Sequence, residues 1–333
     1  MKKFLSILTA IVIMLSLVAC NKPATPSEKK VVNVGVAIYK FDDNFMTLYR
    51  EELENYFKSK NTDQVEYKVT IADGKNDQAE QTVQIDNFIS QGVDVLILNL
   101  VQSSGALSII EKVKAAKIPT IFINREPSEA DMKSIVGSEF EGKMSYVGAD
   151  ARQSGKYQGE IIADLPNKGD INGDGTLSYV MIMGDPENVD AKYRTEFSIS
   201  QYTEKSGLKV EKLLENRGDW DQKRGQEIAA DALTQFGDKI EVIFCNNDGM
   251  ALGALQAIKA AGRTVGKDIY LVGVDALSEV KDLVKKGEFT GTVLNDHINQ
   301  SHKAADLAIN AVNGEKIDLY NWIDYVKVVK EAQ

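Results

Sequence analysis

The chain has little cysteine, fewer basic than acidic residues and no long apolar run after its N-terminus. Its 333 residues include two cysteines, Cys20 near the start and Cys245 in an apolar segment, so we expect no disulfide and a packed thiol at Cys245. The 39 basic and 49 acidic residues give a net charge of −10, which argues against a nucleic-acid partner. No internal run is long enough to cross a bilayer. The length is sufficient for two domains of ordinary size.

The N-terminus has the pattern of an export signal. Two lysines precede an almost wholly apolar run, which predicts a signal peptide over residues 1–19. The run closes on Leu17-Val18-Ala19-Cys20, which resembles the lipobox of bacterial lipoproteins and implies lipidation of Cys20. The polar, proline-containing stretch that follows, within residues 20–31, is typical of a flexible linker. The alternative is an ordinary signal peptide with an incidental cysteine.

Buried strands alternate with helix-period segments along most of the chain. The apolar run from Val34 is followed by Met46, Tyr49, Leu53 and Phe57 at helical spacing, and the same alternation continues to residue 124. It begins again near residue 151. The pattern predicts an α/β protein with two doubly wound, Rossmann-like lobes, each with a parallel sheet, joined by a hinge. We expect one lobe over residues 32–125 and 297–329, and the other over residues 126–296.

Six of the predicted strands end on Asp or Asn. In open α/β sheets ligands bind outside the carboxyl ends of the strands, so these side chains should meet at one edge of each sheet. Short carboxylates and amides can bind the adjacent hydroxyls of a pyranose, while Phe45 and Trp220 can cover its apolar face. Each polar residue can equally be a helix N-cap, as Asp43 or Asn44 would be, and Trp220 can simply pack on a helix start.

The chain resembles the bacterial galactose/glucose-binding proteins of sugar ABC transport over about residues 32–329. The motifs that carry the resemblance are Tyr39-Lys40-Phe41-Asp42-Asp43-Asn44-Phe45-Met46, Asn99-Leu100-Val101, Asn246-Asn247-Asp248, Gly273-Val274-Asp275-Ala276-Leu277 and Gly291-Thr292-Val293-Leu294-Asn295-Asp296. The resemblance implies the type I periplasmic binding protein fold and sugar contacts from Asp43, Phe45, Asn99, Asp190, Arg194, Trp220, Asn247, Asp275 and Asn295. The family's sugar-binding histidine is Asn188 here, which leaves the preference between galactose and glucose open.

The resemblance also implies a cellular role without catalysis. We expect a monomeric lipoprotein on the extracytoplasmic face of the cell membrane that delivers galactose or glucose to the membrane subunits of an ABC permease. A chemoreceptor is a further candidate partner that the chain itself does not test.

A loop in the second half has the spacing of a calcium site. Oxygen-bearing side chains alternate at Asp170, Asn172 and Asp174, and a glycine follows at the sixth position. The carbonyl of Thr176 would be the next ligand, whereas the twelfth position, where an EF-hand has glutamate, is Met181. The resemblance implies that the missing carboxylate is Glu241 and that Ser178 stands at the ninth position, so we expect one structural calcium ion. The alternative is a turn without an ion.

Two other function classes share features with this pattern. A glycoside hydrolase would use a pair of facing carboxylates such as Asp190 and Asp275, although nothing in the sequence marks either as an acid with a raised pKa. The sugar-binding core of a repressor has the same two-lobe architecture, but the lipobox and the lack of a helix-turn-helix before Val32 argue against it.

Overall fold

The computed structural model describes residues 29–330, so the predicted signal peptide, Cys20 and most of the linker lie outside the described residues. The strands in chain order are β1 Lys30–Ile38, β2 Val65–Asp73, β3 Val95–Leu98, β4 Thr120–Ile123, β5 Met144–Gly148, β6 Thr176–Met183, β7 Lys209–Arg217, β8 Val242–Cys245, β9 Tyr270–Val272, β10 Gly291–Leu294, β11 Tyr320–Trp322 and β12 Val326–Val329. The helices are α1 Asn44–Ser59, α2 Gln78–Gln91, α3 Ala106–Ala116, α4 Glu129–Lys133, α5 Ala151–Ala163, α6 Val189–Ser206, α7 Gln222–Phe236, α8 Asp248–Ala260, α9 Ser278–Lys286 and α10 His297–Val312. Short 3₁₀ turns cover Ser103–Gly105 and Gly237–Lys239.

The strands form two six-stranded sheets, one in each lobe. The first has the order β11-β5-β4-β3-β1-β2 and is parallel throughout, and the second has the order β12-β10-β9-β8-β6-β7. In the second sheet only β12, at the edge, is antiparallel to its neighbour. The prediction of two parallel-sheet α/β lobes is confirmed. Within residues 29–330, none of the helices combines the length and apolarity that a bilayer span requires.

Both faces of each sheet are covered by apolar side chains. In β1 the last five residues, Val34 to Ile38, are all buried, as expected for a parallel strand with helices on both sides. Asp43 caps α1, and Met46, Tyr49 and Phe57 are buried on its inner face. Two apolar clusters cover the first sheet and two cover the second. This packing fixes the strand ends from which the site is built.

The chain crosses between the lobes three times. It passes to the second lobe after β5, returns after β10, and passes again between β11 and β12. The predicted boundary at residue 126 is therefore too early, because β5 pairs with β4 and with β11 in the first sheet. Residues 326–329 were assigned to the first lobe but pair with β10 in the second. A short strand carries no local mark of the sheet it joins, since its partners are distant in sequence.

Candidate functional site

A partly open cavity lies between the lobes, at the carboxyl ends of both sets of strands. Every predicted sugar-contact residue except Asn99 lines it, and so do Tyr39, Asn124 and Arg125. The full lining is Tyr39, Asp43, Phe45, Asn124, Arg125, Asn188, Asp190, Arg194, Trp220, Asn247, Asp275 and Asn295.

Asp43 is both a helix cap and a cavity residue. Its Oδ1 accepts from the Met46 backbone N–H at 2.7 Å, which satisfies a free donor at the start of α1. Its Oδ2 accepts from the Tyr39 hydroxyl at 2.6 Å. The two interpretations of this residue therefore do not exclude each other: capping fixes the carboxylate at the edge of the cavity.

Asn99 lies one layer behind the cavity wall. Its side chain is fully buried; its Oδ1 accepts from the Tyr39 backbone N–H at 3.2 Å, and its Nδ2 donates to Asn124 Oδ1 at 3.0 Å. Asn124 lines the cavity and has a left-handed backbone, with φ of 60°. Asn99 thus holds Asn124 in place. The resemblance implies a direct sugar contact by Asn99, whereas in the structure Asn99 supports a residue of the cavity wall.

The start of α6 supplies a charged pair from the second lobe. Asn188 caps the helix by accepting from the Asp190 N–H at 3.0 Å, which places Asp190 and Arg194 on the same face one turn apart. Arg194 donates to the Asn246 carbonyl at 2.8 Å and to the Tyr325 hydroxyl at 2.9 Å. Its distance to Asp190 Oδ2 is longer, at 3.4 Å.

The ends of β8, β9 and β10 supply the other polar groups of this lobe. Asn247 caps α8 through the Met250 N–H at 2.9 Å. Asn295 donates from Nδ2 to Asp275 Oδ1 at 3.3 Å. Asp275 has φ of 118°, a value that costs a non-glycine residue conformational energy and is typical of functional positions.

One aromatic ring comes from each lobe. Phe45 is 5% exposed and meets His297 edge-on at 6.4 Å between ring centroids. Trp220 is 8% exposed and has a left-handed backbone, and its indole packs so closely on Gly184 that a Cβ there would overlap the ring. The indole Nε1 is buried and has no acceptor among the described residues.

Burial raises the pKa of the two second-lobe acids. Desolvation brings the pKa of Asp275 to about 7 and that of Asp190 to about 6, although the guanidinium of Arg194 opposes both shifts. Glu126, beside the cavity wall, has its pKa raised to about 7 by burial and by nearby Asp190. The second lobe therefore holds carboxylates that lack the solvation their charge requires.

Tyr39, Asn124 and Arg125 were missed by the sequence analysis. Asn124 and Arg125 directly follow β4, so the strand-end rule covers them, but neither lies in a motif that carries the family resemblance. Tyr39 follows β1 and carries the hydroxyl that holds Asp43. A search of all polar residues one to two positions after each strand would have found the three of them.

The predicted calcium loop folds around its own side chains. Asp170 accepts from the backbone N–H of Gly173 at 2.7 Å through Oδ1 and from that of Gly175 at 2.9 Å through Oδ2. Asn172 accepts from the Asp174 N–H at 2.8 Å, and Asp174 accepts from the Thr176 N–H at 2.8 Å. The alternating side chains thus all turn back onto the loop.

Glu241 reaches this loop from the segment just before β8. It is 1% exposed; its Oε1 accepts from the Ile171 N–H at 2.6 Å and its Oε2 from the Ser178 N–H at 2.9 Å. Within residues 29–330, no group of three or more His, Cys, Asp or Glu side chains is clustered tightly enough to hold a metal by itself. The loop's donors are instead mixed carboxylate, amide and carbonyl oxygens. Each carboxylate oxygen of Asp170 and Asp174 retains a lone pair, whereas Oε1 of Glu241 accepts from the backbone N–H groups of both Ile171 and Asn172. Such a set fits a hard cation.

Comparison with known proteins gives a consistent result. The family model for the periplasmic binding protein domain matches residues 34–316. The chain is 39% identical, over 286 residues, to the D-galactose/methyl-galactoside binding periplasmic protein MglB of Haemophilus influenzae, covering 85% of this chain and 82% of that protein. It is 31% identical to a putative rhizopine-binding protein of Rhizobium meliloti, covering 89% and 90%. An ABC transporter solute binding protein from Bacillus halodurans, solved with myo-inositol, matches with a TM-score of 0.76 and 28% identity, covering 92% and 96%.

Proposed function

This chain belongs to the periplasmic binding protein family, and we propose that it captures D-galactose or D-glucose between its lobes for delivery to an ABC permease. The family consists of extracytoplasmic solute-binding proteins of transport, so the chain is a sugar-binding component of that machinery. The choice of sugar and the delivery to a particular permease are the proposed steps.

The observation that carries the proposal is the mixture of donors and acceptors in one cavity between the lobes. Arg125, Arg194 and Trp220 each have a buried N–H without an acceptor among the described residues. Asp190 and Asp275 are carboxylates with one long hydrogen bond each. A hydroxyl is at once donor and acceptor, so a polyol can satisfy both kinds of group, and leaving them unpaired is costly. Phe45 and Trp220 add the apolar surface that the C–H face of a pyranose needs.

The 39% identity to a galactose-binding relative supports galactose as the first candidate. Other relatives are named for rhizopine and ribose, and a structural relative holds myo-inositol, so the sugar must be tested directly. Calorimetric titration with galactose, glucose, methyl-galactoside, ribose and myo-inositol separates them. We expect the tightest binding from galactose or glucose, and stronger binding of ribose or inositol would contradict the proposal.

A glycoside hydrolase is the second candidate, because the raised pKa of Asp275 is a property of general acids. The sequence had shown no sign of such a group. Family membership favours transport. Asp275 also accepts a hydrogen bond from Asn295, in a cavity whose other polar groups are suited to binding a sugar. Incubation with a chromogenic galactoside should give binding without turnover, and steady release of the chromophore would identify an enzyme.

We also propose that Cys20 carries a lipid that holds the protein on the extracytoplasmic face of the cell membrane. The support is the position of Cys20 at the end of the apolar run, ahead of a polar linker. Cys20→Ser should release the chain from membranes or block its processing. Normal processing with retention on membranes in high salt would refute the lipid anchor.

A single structural calcium ion completes the proposal. The ligands would be Asp170, Asn172, Asp174, the Thr176 carbonyl, Ser178 and Glu241. The inward-turned side chains and the buried Glu241 support this site, which lies away from the cavity lining. The ion would brace the second lobe, and its test is given in the Discussion.

A further inference from the structure

His297 stands beside the aromatic ring that the first lobe contributes to the cavity. It is one of the two histidines in the chain and the first residue of α10, where the chain returns from β10 of the second lobe. Its imidazole meets Phe45 at 88°, with 6.4 Å between the ring centroids. Its backbone N–H donates to the Asn295 carbonyl at 2.9 Å. His297 is not part of the cavity lining, but it contacts two residues that are.

The first turn of α10 is tied to the same two cavity residues by other contacts. Gln300 is 1% exposed, and its Nε2 donates to Asn295 Oδ1 at 2.6 Å. The Gln300 carbonyl accepts from the Tyr49 hydroxyl at 3.2 Å, and the Tyr49 ring lies 6.1 Å from that of Phe45. The Phe45 ring is therefore packed between Tyr49 of its own helix and His297 of α10.

The surroundings of His297 favour a neutral imidazole. The side chain is half-buried, and this desolvation lowers the pKa of His297 below its ordinary value of 6.5. The charged groups that face it are Asp296 before α10 and Glu52 on α1, which favour the proton, and Lys281 on α9, which opposes it. The positive end of the α10 dipole opposes it too. The 6.4 Å separation exceeds the reach of a cation–π contact, roughly 6 Å, so Phe45 does not offset the cost of the charge.

We propose that His297 is a positioning residue for Phe45 and that its protonation weakens sugar binding, so that the protein releases its ligand more readily in acid. This inference rests on the proposed function and adds to it a regulation of the site by pH. The sugar itself is recognised by other residues, and His297 acts on it only through Phe45.

The direction of the effect follows from linkage. A sugar on Phe45 and closed lobes keep water from the imidazole, whereas separation of the lobes returns water to it. The ligand-free form therefore binds the proton more tightly than the sugar-bound form, and by reciprocity the proton weakens sugar binding. The loss of affinity begins as the pH falls through the pKa of the ligand-free form and is complete below that of the sugar-bound form. A difference of one pKa unit between the two forms corresponds to about a tenfold change in affinity.

The test measures the affinity for galactose and glucose at about pH 8 and about pH 5 in wild type, His297→Gln and His302→Gln. His302 is the matched control, because it lies on the same helix but contacts Glu52 Oε1 through Nε2 at 2.6 Å, away from the cavity lining. Between the two pH values, wild type should lose up to about tenfold more affinity than His297→Gln, since the acids of the cavity contribute equally to both. His302→Gln should respond as wild type does. An equal response in wild type and His297→Gln overturns the proposal, as does a response lost in His302→Gln alone.

A double-mutant comparison separates positioning from a general effect on stability. At about pH 8, His297→Gln should weaken binding by about threefold, because the ring contact is lost. It should have no further effect in Phe45→Ala and its full effect in Trp220→Ala, since only Phe45 touches it. A loss that persists in Phe45→Ala shows that His297 does not act through Phe45 and overturns the positioning role.

Proton resonances of the imidazoles give a measurement on the wild type that does not depend on any variant folding. The chain has two histidines, so two imidazole signals titrate. The pKa of His297 should be lower with saturating sugar than without it. Sugar binding that leaves this pKa unchanged overturns the inference alone, whereas a wild-type protein that binds neither galactose nor glucose contradicts the proposed function and the inference with it.

Discussion

The two lobes present their acids to the cavity in opposite conditions. Asp43, in the first lobe, accepts two short hydrogen bonds, at 2.7 and 2.6 Å, one for each carboxylate oxygen. Asp190 and Asp275, in the second lobe, have one bond each, at 3.4 and 3.3 Å, and a raised pKa. The first-lobe carboxylate, Asp43, is fully hydrogen-bonded before a ligand arrives, whereas the two second-lobe carboxylates are underpaired. Ligand hydroxyls therefore gain more from the second lobe.

The largest expected effect comes from removing an underpaired charge. Asp275→Asn should weaken sugar binding by about a hundredfold, because a charged acceptor is lost from the cavity. The ligand-free variant should nevertheless be more stable than wild type at pH 8, because the substitution removes a desolvated carboxylate that is poorly paired. Calorimetry and chemical denaturation measure the two quantities.

Asp43→Asn is the matched change in the first lobe. It should weaken binding too, but it should also destabilise the ligand-free protein by about 1 kcal/mol, because Tyr39 loses a charged acceptor. If the two variants shift the free energy of unfolding in the same direction, the contrast between the lobes is wrong.

The two aromatic rings should differ less than the acids. Trp220→Ala and Phe45→Ala should each cost about 2 kcal/mol of sugar affinity, the usual contribution of an aromatic face. Trp322 is 43% exposed and contributes background fluorescence, so Trp322→Phe leaves Trp220 as the single reporter. A Trp322→Phe protein whose fluorescence does not respond to saturating sugar would exclude Trp220 from the contact.

Calcium should act on the second lobe alone. An ion that binds only the folded loop stabilises it by about 2.7 kcal/mol at a hundred times its dissociation constant, so the melting temperature should rise with calcium. Glu241→Gln should reduce that rise, while Glu279→Gln, at an exposed position on α9, should preserve it. A full rise in Glu241→Gln shows that this ligand is misassigned. No rise in chelator-stripped wild type shows that the loop holds no ion.

The last expected effect is a slope of stability with pH. Folding raises the pKa of Asp190 and Asp275 above the ordinary aspartate value of 3.8, to about 6 and about 7, so the folded chain holds more protons than the unfolded one between pH 4 and 7. Their contribution to the free energy of unfolding therefore falls as the pH rises through that interval. Denaturation of ligand-free protein at pH 5 and pH 8 should show a smaller difference in Asp275→Asn than in wild type. An equal difference would show that Asp275 does not titrate in this interval.

Sequence patterns within a few residues predicted most of the fold and of the site. The features that were missed depend on contacts between residues far apart in the sequence. Asp43, Asn188 and Asn247 are helix caps as well as cavity residues, so a pattern visible within four residues put each at the right strand end. The membership of β5 and β12 was missed because pairing partners lie far away in the sequence. The contact between Arg125 and Asp185 joins residues 60 positions apart in the sequence, and no periodicity reveals it.

The three crossings also bear on how the protein is made. The edge strand of the first sheet begins at Tyr320 and that of the second at Val326, so neither sheet is complete until nearly the whole chain is available. During export the chain emerges N-terminus first, and both β5 and β10 wait with open edges for the last residues. A chain cut short before residue 320 would leave both lobes unfinished at once. Residues 320–329 thus complete both sheets within one short segment of the chain.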